Sequence, residues 1–171
     1  MSQSAPDGPR AAEAMFAADE ASRALGIALL EVAPGRAVLG MRVTDRMTNG
    51  HGTAHGGYIF LFADSAFACA CNSHGPVTVA AAADIAFIAP VHVGDELVAV
   101  AEERLTHGRS GIYDVRVSRG DEVVAEFRGR SRVLRGGAPV AVPAAGGRAT
   151  NAMSTTTTKN AKTAMEATKE S

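Results

Sequence analysis

A single carboxylate lies in the middle of an almost wholly apolar segment. Residues 56–71 contain one charged side chain, that of Asp64, among aliphatic, aromatic and small residues. Such a segment is typical of a helix buried on every face, where an unpaired carboxylate is costly unless it has a function. The glycine-rich residues 49–57 end where this helix should begin, and a helix start offers free amide donors at its positive end. The segment therefore predicts two catalytic ingredients, donors for a developing oxyanion and a buried acid.

The composition predicts one folded domain in the cytoplasm. The chain has 171 residues, a formal net charge of −1 and 46% hydrophobic residues, which suits one domain of roughly 100–150 residues. The near-neutral charge argues against nucleic acid as a partner, because phosphate binding favours a basic surface. Residues 1–10 lack the apolar run of a signal peptide, and Asp64 makes a membrane span costly. Cys69 and Cys71 point in different directions on a helix, so we interpret them as reduced and buried.

Sequence periodicity predicts one helix, two strands, the buried helix and four more strands. Alanine-rich residues 11–25, between Pro9 and Gly26, favour a short amphipathic helix. Residues 107–111 are expected to form a loop, and residues 120–121 a two-residue hairpin. The strands are predicted at 27–33, 36–44, 77–89, 96–105, 112–118 and 122–134, and the buried helix at 56–73.

These elements fit an α+β fold in which a six-stranded antiparallel sheet wraps around one apolar helix. Residues 77–89 are small and apolar, so we expect that strand to pack against the helix. In the last strand, Val123, Ala125 and Phe127 are predicted to face the core. The sheet buries only one side of the helix, and a second copy of the chain could cover the other. We therefore expect at least a homodimer.

The two ends of the chain differ from its body. We expect a flexible leader at residues 1–10, a folded domain at 11–135 and a disordered tail at 136–171. The tail is rich in Ala, Thr, Gly and Pro and contains no aromatic residue. Such a segment cannot bury enough apolar surface to order itself.

Two motifs and the order of the elements resemble the PaaI group of hotdog-fold acyl-CoA thioesterases. The first motif is Asn-Gly-His-x-Thr-x-His-Gly-Gly at residues 49–57, followed by Asp64; the second combines residues 111–114 with 127–131. The resemblance covers about residues 12–135. It implies a hotdog fold, hydrolysis of aromatic acyl-CoA thioesters as in phenylacetate catabolism, and a homotetramer built as a dimer of dimers. We expect no metal and no separate cofactor, since coenzyme A is part of the substrate.

The resemblance also implies roles for individual residues. Asp64 matches the catalytic carboxylate, and Gly56 matches the glycine whose N–H binds the thioester carbonyl. Asn49 and His55 match polar residues that line the site. A carboxylate in an apolar surrounding should have a raised pKa, which makes it a better base. Asp64 could deprotonate water or attack the carbonyl directly, and we favour the base slightly.

Further residues are expected to contact the substrate. Gly57 lies beside Gly56, and the loop residues Arg109, Ser110 and Gly111 could hold the phosphates of coenzyme A. Some relatives carry a hydroxyl residue on the strand after the helix. That strand is apolar at residues 79–83 in this chain, so a hydrogen bond of this kind is in doubt.

The spacing of Gly56 and Asp64 predicts a site shared between two subunits. Eight residues of helix separate them by roughly 12 Å along the axis. A reacting carbon must lie about 3–3.5 Å from its attacker, so the two residues of one subunit cannot serve one carbonyl. Two antiparallel copies of the helix could bring Asp64 of one beside Gly56 of the other. We therefore expect a composite site, two per dimer.

Several less specific interpretations compete for the same residues. Asp64 could be a structural acid capped by amides, and His55 could only orient its loop through a backbone hydrogen bond. His51 and His55 have the spacing of a metal pair but lack a clear third ligand. A cysteine at position 69 or 71 could pair with His74 as a nucleophile, although no activating charge is apparent nearby.

Two other functional classes stay open at this point. A hotdog hydratase or dehydratase would need an acid–base pair over the acyl Cα–Cβ bond, and no His–Asp pair is apparent beyond Asp64. A non-catalytic acyl-CoA-binding protein would bind a thioester without turnover and would be indifferent to Asp64→Asn.

Overall fold

One antiparallel sheet and three helices make up residues 8–136, the part of the chain that the computed structural model describes. The helices are α1 (Gly8–Ala17), α2 (Glu20–Ala24) and α3 (Gly56–Asn72), and a 3-10 turn spans Asp45–Met47. The strands are β1 (Ala28–Ala33), β2 (Arg36–Arg42), β3 (Thr78–Phe87), β4 (Glu96–His107), β5 (Ser110–Arg119) and β6 (Glu122–Val133). The sheet order is β1-β2-β4-β5-β6-β3, and α3 packs across the sheet. This is the predicted α+β arrangement of a sheet around one central helix.

Helix α3 supplies much of the core, because most of its residues are apolar. The buried side chains of Ile59, Phe62 and Phe67 contact the sheet. The fit is close at Gly129 of β6, where an added Cβ would lie 2.7 Å from the Phe67 ring. One stripe of the helix is covered less completely, which corrects the expectation of burial on every face. It consists of Gly57, Leu61, Asp64 and Ala68. These positions repeat at helical spacing and share one face.

Alternation predicts the inward face of the strands well, with one correction in β6. Ala125 and Phe127 of β6 are buried as expected, and the alternating residues Val115 and Val117 of β5 are buried as well. Val123 is only half-buried, and Val124 is buried in its place. The pairing shifts there because Val117 faces Ala125 while Ser118 faces Val123, which leaves Val124 as the extra residue of a bulge.

The connection between β4 and β5 is shorter than the loop predicted at residues 107–111. Strands β4 and β5 continue to a pair between His107 and Ser110, so the connection is a two-residue turn. Gly108 adopts φ +59° there, a conformation that other residues rarely adopt.

The helix predicted at residues 11–25 is two helices joined at a sharp break. Asp19 ends the first run and caps the second, since its side chain accepts a hydrogen bond from the Ser22 backbone N–H. Helix α1 begins at Gly8, inside the segment expected as a leader. The first leader residues (1–7) and the tail beyond Gly136 lie outside the described part of the chain.

Helices α1 and α2 cover the side of α3 that we assigned to a second subunit. Met15, Phe16 and Leu25 pack against the core from this side. The chain therefore covers much of its own central helix, and an uncovered helix face no longer requires a second subunit.

Strand β3 is much more exposed than predicted. It is an edge strand, and most of its residues between Val79 and Phe87 are exposed, including half of the Phe87 side chain (54%). A long apolar edge with unpaired backbone groups is a template for pairing with another chain.

Within residues 8–136, no helix has both the length and the apolar character needed to cross a lipid bilayer.

Candidate active site

The start of helix α3 presents a backbone donor beside an apolar cleft. The Gly57 N–H donates to His55 Nδ1 at 3.0 Å, and the Tyr58 N–H donates to the His55 carbonyl. The Gly56 N–H has no hydrogen-bond partner within residues 8–136. Its amide is therefore available to an oxygen arriving at the helix start, where the dipole favours negative charge.

A cleft of about 410 Å³ opens beside Gly56. Phe87, Ile88 and Pro90 are among the residues that line it. The Phe87 ring lies over Gly56, and a Cβ added at Gly56 would lie 2.8 Å from Phe87 Cζ. Glycine is thus the residue that leaves this amide open under the ring.

His55 and Asn49 organise the loop that leads into α3. His55 is the N-cap residue, and its ring nitrogen satisfies one of the free amides at the helix start. Asn49 accepts hydrogen bonds from the backbone N–H groups of His51 (2.8 Å) and Thr53 (3.3 Å) and donates to Thr53 Oγ1 (3.0 Å). Both side chains are therefore engaged in shaping the approach to Gly56. Among the described residues, no third imidazole, thiol or carboxylate lies close enough to His51 and His55 to complete a metal site.

Asp64 is a half-buried carboxylate without a partner. No hydrogen bond or ion pair to it forms within residues 8–136, so it is not the amide-capped structural acid of the alternative interpretation. Burial raises the pKa of Asp64, and the negative charge of Asp19 raises it further. An unpaired carboxylate with a raised pKa on a partly open helix face is suited to accept a proton.

Arg109, Ser110 and Gly111 lie together, at the other end of α3 from Gly56. They line a pocket of about 190 Å³ next to Thr78 and Tyr113. The remaining walls come from the end of α3 and from strands β4, β5 and β6; they include Cys71, His74, Pro76, Thr106, Ser131 and Val133. Within one subunit, the predicted site residues thus form two groups separated by the length of α3, with Asp64 between them.

Two arginines of strand β6 form ion pairs on the sheet and do not line this pocket. Arg128 makes a two-pronged hydrogen bond to Asp114 (2.6 and 3.0 Å), and Arg130 binds Asp84 at 3.1 Å. The Arg128 hydrogen bonds lower the pKa of Asp114. These pairs are typical of a solvated sheet face.

The cysteine–histidine alternative does not fit the structure. Burial raises the pKa of Cys69 and Cys71 to about 12, so neither supplies a thiolate near neutral pH. His74 instead pairs with Glu103 at 2.5 Å, and the buried Tyr113 hydroxyl donates to the same carboxylate at 3.0 Å.

Known proteins share both this sequence pattern and this fold. The sequence model of the thioesterase superfamily matches residues 51–126. The acyl-coenzyme A thioesterase PaaI of Escherichia coli is 44% identical over 126 residues, which are 73% of this chain and 90% of that protein. The chain belongs to the PaaI group of the thioesterase superfamily. It is a thioester hydrolase, as the resemblance implied.

Solved structures of PaaI proteins agree with this assignment. The E. coli PaaI structure matches with a TM-score of 0.73 and 40% identity, covering 77% of this chain and 96% of that one. A mutant of PaaI from Thermus thermophilus matches with a TM-score of 0.66 and 38% identity over 68% of this chain and all (100%) of that one. The predicted hotdog fold is therefore confirmed.

Sequence reasoning missed two features of the site. One is the position of Phe87 over Gly56, which no periodicity predicts because the residue ends an edge strand. The other is Asp19, which is 45 positions before Asp64 in the chain and reaches it only through the packing of α2 on α3.

Proposed function

We propose that this PaaI-group protein hydrolyses acyl-CoA thioesters to free acid and coenzyme A, with aromatic groups such as phenylacetyl and hydroxyphenylacetyl, or medium-sized acyl groups, as substrates. The observation that carries the proposal is the unpaired Asp64 on the same helix as the free Gly56 amide. The relatives support the substrate class, since E. coli PaaI is an acyl-coenzyme A thioesterase from the phenylacetic acid degradation operon and T. thermophilus PaaI is a phenylacetic acid degradation protein.

In the proposed reaction, the Gly56 N–H binds the thioester oxygen and strengthens its hydrogen bond as the carbon becomes tetrahedral. A preorganised donor of this kind needs no rearrangement at the moment of reaction. Asp64 takes a proton from water while the water oxygen bonds to the carbonyl carbon. The C–S bond then breaks, and the departing thiolate is protonated to free coenzyme A. Direct attack by Asp64 to give a mixed anhydride is the variant that we favour less.

The proposed site combines Gly56 of one subunit with Asp64 of another. Both residues lie in α3, so eight helical positions hold them roughly 12 Å apart along the axis. Two surfaces of the subunit support binding of a second copy of the chain. One is the half-covered stripe of α3 that contains Asp64, and the other is the exposed apolar edge of β3. An antiparallel second copy would also bring the Gly56 cleft of one chain toward the Arg109 pocket of the other.

Coenzyme A phosphates are proposed to bind at the turn between β4 and β5. Arg109 supplies a positive charge, and the Ser110 hydroxyl a donor, at the edge of one pocket. We further propose that the dimers assemble in pairs and that the protein works in the cytoplasm; both stay predictions from the sequence.

The first test is release of free thiol from phenylacetyl-CoA, 3- and 4-hydroxyphenylacetyl-CoA and hexanoyl-CoA, measured at steady state with the full-length chain. We expect turnover with the highest kcat/KM on an aromatic substrate, because Phe87 presents a ring beside the reacting carbonyl. A preference for hexanoyl-CoA would place the enzyme with medium acyl groups. Binding of all four thioesters without hydrolysis would contradict the proposed function.

Mixed dimers test the shared site directly. We expect two inactive variants, Gly56→Pro and Asp64→Asn, to recover activity when paired in one dimer. One of the two composite sites then has an intact Gly56 and an intact Asp64, so a purified mixed dimer should show about half of wild-type kcat. Two tags, purified in series, ensure that every assembly in the assay contains both variants, and unfolding and refolding the two chains together before purification lets mixed dimers form. If each site lay within one subunit, both sites would stay defective and no activity would return.

A further inference from the structure

A chain of hydrogen bonds joins the start of α2 to the residue next to Asp64. The Asp19 carboxylate accepts from the Ser22 hydroxyl at 2.5 Å and from the Ser22 backbone N–H at 3.1 Å. The Ser22 hydroxyl lies 2.8 Å from the Ser65 hydroxyl, which donates to the Leu61 carbonyl at 2.9 Å. Ser22 has no solvent exposure. The carboxylate of Asp19 is thus fixed against the turn of α3 that carries Asp64.

No basic side chain of the described residues forms an ion pair with either of these two carboxylates. Asp19 and Asp64 form no ion pair with an arginine or histidine within residues 8–136, although most acids of the sheet do. The charge of Asp19 is also not needed for capping, because neutral Asn and Ser are equally good N-cap residues. Two like charges near one another in a partly buried region interact more strongly than they would in water.

We propose that Asp19 is a positioning residue for thioester hydrolysis: held by Ser22 against α3, its negative charge keeps Asp64 a stronger base. This inference rests on the proposed function, in which Asp64 accepts the proton of water. It adds to the site a group that tunes the basicity of Asp64 from outside α3.

The electrostatics of Asp64 agree with this geometry. Burial is the larger cause of its raised pKa, and Asp19 is the only charged group that adds to it among the described residues. The other titratable groups of α1 and α2 are Arg10, Glu13, Glu20 and Arg23, and α3 itself carries Tyr58, Cys69 and Cys71. The charged side chains of the strands are exposed or partly exposed, and most of them form ion pairs with one another.

The test is the pH dependence of kcat/KM for Asp19→Asn, measured with the best substrate of the panel. Removing the like charge should lower the pKa of Asp64. The acid limb of the profile, which reports ionisation of the free enzyme, should therefore move to lower pH, with a lower plateau because the base is weaker. Asp19→Ser is the second variant. Both retain an N-cap, so thermal unfolding should stay near wild type.

Glu20→Gln is the matched control, since Glu20 is the next residue, is exposed and carries the same charge. Its acid limb should coincide with that of wild type. If a folded Asp19→Asn or Asp19→Ser enzyme has the same acid limb in its pH profile as wild type, this inference is overturned. In that case an inactive Asp64→Asn enzyme would still support the proposed function. Undiminished turnover by Asp64→Asn would leave the thioester hydrolase activity standing, but it would overturn the role of Asp64 as the base and this inference with it.

Discussion

Asp64→Asn is expected to reduce kcat for thioester hydrolysis by about 10²–10⁴-fold, the usual contribution of a positioned general base. Asparagine has the same shape but cannot accept the proton of the attacking water. The carboxylate has no structural partner within residues 8–136, so the loss cannot be attributed to a broken hydrogen bond. The measurement is free-thiol release at saturating substrate, with Asp121→Asn, an exposed acid at the β5–β6 turn, as the control.

The thermal stability of Asp64→Asn at different pH values shows whether Asp64 also has a structural role. In the folded chain the pKa of Asp64 lies above its unfolded value, so stability is lost as pH rises through the folded pKa. The neutral variant escapes this loss. Asp64→Asn should therefore unfold at the same or a higher temperature than wild type near neutral pH, with the advantage disappearing below about pH 4, the ordinary range of an aspartate. An inactive variant that is also less stable near neutral pH would indicate a structural role for Asp64 instead.

What the sequence predicts well is what depends on local periodicity. The limits of α3 and the inward faces of β2 and β5 follow from the spacing of apolar residues, because burial of one face decides them. The break between α1 and α2 does not, since the Asp19 side chain competes for the backbone that a continuous helix would need. The bulge at Val124 is likewise invisible, because either register buries a valine.

The site shows the same division. The local motif places His55 and Gly56 at the start of α3 and Asp64 about two turns further along it, because the three residues are close in sequence. The covering ring of Phe87 and the hydrogen bond from Ser22 to Ser65, 43 positions apart, depend on tertiary packing. No pattern within one window of sequence contains them.

Gly56→Pro is expected to lower kcat by about 10²–10³-fold, the cost of removing one oxyanion donor. Proline removes the N–H itself, yet it is favoured at the first position of a helix. The preceding residue, His55, already has φ −66° and ψ 131°, the extended conformation that a following proline requires. Helix α3 should therefore form unchanged, and the loss should fall on catalysis.

Gly56→Ala separates the donor from the space around it. Alanine places a Cβ at the same point, 2.8 Å from Phe87 Cζ, but keeps the N–H. Because the Phe87 ring is 54% exposed, it can turn away, so the alanine enzyme should lose much less kcat than the proline enzyme. The ratio of the two kcat values measures the donor alone. Equal values would show that crowding under Phe87, and not the loss of the amide, limits the reaction, and the oxyanion would then have to be bound by another group.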